Sequence, residues 1–228
     1  MTKRKRSWLR ILGIVVMSLA IFIFCIFLSV VVFYLIVSNT KDDSVKQLHS
    51  KDGKATFTLP VKYEADDADK NLITFAFHYP SMEPIKPGNA PEKDQIKIYL
   101  SPTIAPDRSS ANYAKNLEDN AVDHFDPNRR GLEYRIGHQG IYRKYQLGNP
   151  DEPDDLSTYY VFQASDRQLV TVKDPVPIIV LFKAHRTIDY RFDVQYTIAK
   201  KIGKDFVKID EVVTTLINQN TTIQTSKE

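Results

Sequence analysis

Tyr190-Arg-Phe-Asp-Val-Gln-Tyr-Thr-Ile198 decides the fold class. Tyr190, Phe192, Val194, Tyr196 and Ile198 alternate strictly with Arg191, Asp193, Gln195 and Thr197. A period of two places the first set on a buried face and the second on a polar one, which predicts a half-buried β-strand. The same period recurs on either side. Ala55, Phe57 and Leu59 alternate with threonines until Pro60. Ile73, Phe75, Phe77 and Tyr79 share one face, and so do Ile96, Ile98 and Leu100. Leu132–Ile136 and Ile141–Leu147 read as a hairpin turning at Gly137-His-Gln-Gly140. Thr158–Ala164 and Gln168–Val172 pair around Ser165-Asp-Arg167. Ile178–Phe182 is a continuous apolar run, the pattern of a central strand covered on both faces.

Two segments carry the helical period instead. Ser109 and Ser110 offer a cap for a helix running to about His124, with Ala114, Leu117, Ala121 and Phe125 on one face. Asp205 caps a second, with Phe206, Ile209, Val213 and Leu216 as its apolar stripe. Short connections favour antiparallel pairing. The expectation is an α+β domain over 54–218: a mainly antiparallel sheet of about eight or nine strands, one face covered by two amphipathic helices.

The N-terminal region differs in kind. Lys3, Arg4, Lys5, Arg6 and Arg10 form a basic tip over residues 1–10, and no charge follows from Ile11 to Val37. As a helix at ~1.5 Å per residue this run is roughly 40 Å long, enough to cross a bilayer. It is too long for the apolar core of a cleaved signal peptide and lacks a small-residue cleavage site. Residues 11–37 are therefore expected to be an uncleaved transmembrane anchor. The basic flank stays in the cytoplasm, so the domain beyond it faces outward. Residues 38–53 read as a polar linker and 219–228 as a flexible tail.

Without the five flanking cations, 26 Lys and Arg stand against 28 Asp and Glu. The basic balance of the whole chain is a topology signal, and nucleic acid is not an expected partner. The single cysteine, Cys25, lies in the apolar run, so the outer domain must fold without disulfides.

Catalytic patterns are missing. The histidines are His49, His78, His124, His138 and His185, none at helical metal-ligand spacing. No nucleophile elbow, zinc-protease helix or glycine-rich phosphate loop occurs. The acids between Glu64 and Asp69 lack the glycine and terminal glutamate of a calcium loop and read as solvated. The expectation is a non-enzyme with no catalytic residue, metal or cofactor.

Binding remains. Tyrosine is abundant and suits interfaces, although it also favours strands. Pro80, Pro84 and Pro87 stiffen the loop after Tyr79, and Met82 and Ile85 are apolar where solvent is expected. A stiff loop loses little entropy on binding; the alternative is that Met82 tucks back and caps the sheet edge. The candidate contact residues are Tyr79, Met82, Glu83, Ile85, Tyr142 and Tyr159.

The basic tip, single span and cysteine-poor α+β domain, with Phe57-Thr-Leu-Pro60, His78-Tyr-Pro-Ser-Met-Glu-Pro84 and Ile96-Lys-Ile-Tyr-Leu-Ser-Pro102, resemble small single-span envelope proteins of Gram-negative bacteria. Some of these are similar to immunity proteins that guard the periplasm against type VI secretion effectors. The resemblance implies a binder in the bacterial inner membrane, its C-terminal domain periplasmic, that neutralises a secreted effector toxin by occluding it. A structural or assembly component of the cell envelope is the alternative.

Overall fold

A computed structural model describes Phe27 and residues 45–224, apart from Lys70, 89–92, 104–109, Arg130 and Ile178. The basic tip, the apolar run 11–37 as a span, the first part of the expected linker and the Ser109 cap lie outside the described residues. No helix among the described residues is long and apolar enough to cross a membrane.

The strands, in chain order, are β1 (Gln47–His49), β2 (Ala55–Thr58), β3 (Asp66–Asp69), β4 (Leu72–His78), β5 (Pro84–Ile85) and β6 (Gln95–Pro102). Helix α1 (Ser110–Asn120) follows. Then come β7 (Tyr134–Gln139), β8 (Tyr142–Leu147), β9 (Ser157–Gln163), β10 (Leu169–Asp174), β11 (Leu181–Ile188) and β12 (Phe192–Ala199). Helix α2 (Phe206–Gln219) and β13 (Thr221–Ile223) are the last described elements. The architecture is α+β. The main sheet runs β3-β4-β6-β12-β11-β10-β9-β8-β7, antiparallel throughout, with β5 beside β4. A second sheet has the order β1-β2-β13.

β12 lies in the middle of the main sheet, between β6 and β11. Phe192, Val194, Tyr196 and Ile198 are buried, and Ile96, Ile98 and Leu100 oppose them on β6 in register. Ile73, Phe75 and Phe77 extend this layer on β4. Helix α2 covers it with Phe206, Ile209, Val213, Leu216 and Ile217. The Asp205 side chain caps α2, accepting from the Lys208 N–H at 3.4 Å. The small sheet joins the same core: Phe57 stacks on Phe75 with ring centroids 6.2 Å apart.

The two helices do not share a face. Tyr160 and Phe162 on β9 point into the α2 core, whereas Tyr159 and Val161 point the other way, onto Ala114, Leu117 and Ala121. Four successive large apolar or aromatic residues make β9 a strand that needs cover on both sides. Helix α1 supplies the second cover. It ends at Asn120 rather than near His124, because Val122 leaves to pair with β7: its N–H donates to Glu133 O at 2.9 Å and its carbonyl accepts from Arg135 N–H at 2.8 Å. Phe125 therefore packs on Tyr134 from outside the helix.

Other boundaries move for local reasons. The strand opened by the Tyr190 run begins only at Phe192; Asp189 and Tyr190 adopt φ of 49° and 54° in the turn, leaving Tyr190 61% exposed. Gly137 is not the turn: β7 continues to Gln139, with a register shift between Arg135 and Gly137, and the reversal falls on Gly140-Ile141. Gly137, at φ 117°, accommodates that irregularity. Ile179 and Val180 are exposed, and β11 starts at Leu181 and runs on through the polar Lys183-Ala-His-Arg-Thr187. The expected linker contains β1, the acidic segment forms β3 against β4, and the polar tail contributes β13 to β2.

Candidate partner-binding groove

The loop after β4 folds back on its own strand. Met82 N–H donates to His78 O and His78 N–H donates to Glu83 O, each at 2.8 Å. Pro84 and Ile85 then pair with Phe77 and Ala76. This tight return holds Met82 at φ 60°, a left-handed conformation costly for a side chain with a Cβ. Tyr63 OH donates to the Met82 carbonyl at 3.1 Å and ties the loop to the preceding turn. At the loop's base His78 Nδ1 lies 3.0 Å from Asp94, and this hydrogen bond lowers the Asp94 pKa below the ordinary carboxylate value.

The loop and the outer flank of α2 enclose an open groove of ≈ 470 Å³. Tyr63, Met82, Val212 and Leu216 supply apolar surface, and Lys62, Lys208, Glu211, Thr215 and Gln219 supply polar groups. Positions 208, 211, 212, 215 and 219 fall on one side of α2 by the spacing of three and four. Val61, next to the groove's Lys62, is 85% exposed. Apolar surface and charged groups therefore stand side by side along the groove.

Tyr79, Met82, Glu83 and Ile85 thus belong to one loop, but only Met82 lines the groove. Tyr79 is half-buried against the core and Glu83 is exposed. Ile85 is buried beneath the loop. Met82 packs on the core edge, as its capping alternative expects, and part of its surface lines the groove. Tyr142 and Tyr159 do not line the groove. Tyr142 packs edge-on against Phe162 and Phe206, with centroids 5.6 and 5.7 Å away, and burial raises its pKa. Tyr159 is buried beneath α1.

Sequence reasoning did not find the groove's helical wall. Its signal is a single one: Val212 stands in an otherwise polar stripe. Nor did it find the ion cluster beneath α2. Arg186, wholly buried on β11, donates to Asp210 of α2, to Asp166 in the β9–β10 turn, and to Thr214 Oγ1 at 2.7 Å. Tyr196 OH donates to Asp210 at 2.8 Å. Burial raises the Asp210 pKa despite the opposing pull of Arg186, and raises that of Tyr196 well above its usual value. Arg186 and Asp210 are enclosed between sheet and helix and fasten one to the other, while Asp166 is partly exposed at the rim.

Among the described residues, no three His, Cys, Asp or Glu side chains group as metal ligands. Compared with known proteins, the chain matches no family model and no curated sequence.

Proposed function

We propose that this chain is a membrane-anchored, periplasm-facing binding protein of the immunity or inhibitor type. Residues 11–37 hold it in the bacterial inner membrane with the basic tip in the cytoplasm. The folded domain engages a protein toxin and neutralises it by occlusion, without chemistry of its own. The observation that carries this reading is the Met82–Val212 groove: apolar surface and charged groups meet there between a hydrogen-bonded loop and a helix fixed to the core. A surface already ordered before binding loses less entropy when a partner docks. The charge-free run and its basic flank support the anchor and its orientation.

The test is capture by the full-length protein in detergent, from envelope and secreted fractions of the source cells, read by mass spectrometry. One secreted protein should be retained at stoichiometric level. Met82→Glu and Val212→Glu should each weaken its retention by about tenfold or more, since each places a charge against apolar surface at a contact. Recovery of resident membrane-assembly proteins instead, unaffected by either substitution, would replace this reading with a structural role in the envelope.

A further inference from the structure

The sheet face opposite α2 is only partly covered. Helix α1 packs there on Tyr145, Tyr159 and Val161 and lies close over part of β10 and β11. Toward β11 and β12 the same face carries Lys183 and Gln195, both exposed, and Thr197. Lys173 of β10 and Lys183 of β11 stand directly opposite each other in the ladder. Their Cβ atoms are thus about 5 Å apart on one face, and like charges so placed weaken an antiparallel pair.

Other cations of this face have carboxylates. Lys97 pairs with Asp66 at 2.7 Å, Arg135 with Asp123 at 2.6 Å, and Arg143 with Glu118. Lys173 has the Tyr159 ring, its Nζ 5.3 Å from the centroid, and no carboxylate among the described residues; the same holds for Lys183 without the ring. The positive field there also reaches His185, whose pKa is lowered by burial first and by Lys183 second. Among the described residues this cross-strand lysine pair has no carboxylate partner, while Lys97, Arg135 and Arg143 on the same face do.

We propose that the Lys173–Lys183 pair docks an acidic, extended segment of a protein partner. The row continues from Lys183 through Thr197 to Lys97, directly opposed strand by strand. With strands about 4.8 Å apart, the row presents the two lysines and a hydroxyl in a nearly straight line that ends at the Lys97–Asp66 pair. An extended chain laid across the strands brings a carboxylate to the lysine pair and backbone groups to Thr197 and Gln195. A lipid headgroup site fits less well: membrane-surface recognition draws on clusters of about four to eight cations, commonly with an apolar face to insert. The proposal takes only the class of partner, a protein, from the reading above. It uses the opposite face of the sheet from the groove.

The experiment is a titration of fluorescein-labelled hexaglutamate into the full-length protein in detergent micelles at low salt. Saturable binding that weakens with added salt is expected. Because the basic tip also attracts the peptide, the decisive quantity is the difference between parent and variant. Lys183→Glu should weaken binding by about tenfold, Lys183→Arg should retain it, and Lys201→Glu, at an exposed position in the turn before α2, should leave it unchanged. Lys183→Glu turns a repulsive cross-strand pair into an attractive one, so its melting temperature should not fall, and lost binding is then not lost folding. Equal binding by parent and Lys183→Glu would overturn the proposal. So would preferential capture of phosphatidylglycerol vesicles through Lys183. Met82→Glu should not change hexaglutamate binding, so the groove and the lysine pair can fail separately.

Discussion

The two faces of the main sheet solve the same problem with different chemistry. Beneath α2, one wholly buried cation, Arg186, is shared by Asp210, Asp166 and Thr214, and aromatic rings fill the space around the start of the helix. Beneath α1 the apolar patch is small, and the ion pairs that flank it, Arg143–Glu118 and Arg135–Asp123, are partly open to water. The lesson concerns where charge can be strong. In a low-dielectric interior a broken pair leaves a charge without solvent, whereas at a wet rim water and salt replace the lost partner.

The largest expected effect breaks the buried side of this comparison. Asp210→Ala removes the carboxylate that serves both Arg186 and Tyr196. It should destabilise the domain by about 3–5 kcal/mol, the range for removing one partner of a buried ion pair. Urea unfolding would measure it. A loss below about 1 kcal/mol would mean that the cluster does not fasten α2 as described. The matched substitution on the other face sharpens the contrast. Glu118→Gln removes the charge opposite a guanidinium that is 37% exposed, and should cost less than about 1 kcal/mol, shrinking further in salt.

The smallest effect is a pH dependence that belongs to the α1 face. Burial lowers the His185 pKa below its ordinary value of 6.5. In the window below 6.5 the unfolded chain takes up a proton that the folded one resists, so this group makes stability fall as pH falls through that window. Above it, both states are neutral and the contribution is flat. Comparing urea midpoints of parent and His185→Gln from pH 7.5 to 5.5 should show a shallower acid decline in the variant. An equally steep decline in both would assign the effect to other groups.

Much of the sheet was legible because its signal is local. Ile73, Phe75 and Phe77, then Ile96, Ile98 and Leu100, alternate as written and are buried as read. The α2 stripe and its Asp205 cap are equally local. Signals failed where partners far along the chain overrode them. Ile179 and Val180 are apolar yet exposed, while Lys183, His185 and Arg186 occupy the adjacent strand. The polar segments that became β1 and β13 have almost no period of their own; backbone pairing with β2 orders them. At the candidate site, Met82 and its proline-rich loop could be named from the sequence, but the helical wall opposite it could not.

The sequence by itself determined the α+β class, most of the strands, the second helix and a charge-free segment long enough to span a membrane. Those follow from periodicity and composition, which act over a few residues. Only the tertiary structure decided that the two helices take opposite faces, that Arg186 is buried with Asp210 and Asp166, and that Lys173 faces Lys183. The physical reason is range. A side chain's energy inside a fold depends on neighbours brought from 14 to 28 positions away, as with the Tyr196–Asp210 and Arg186–Thr214 contacts, and no local pattern records which neighbours those will be.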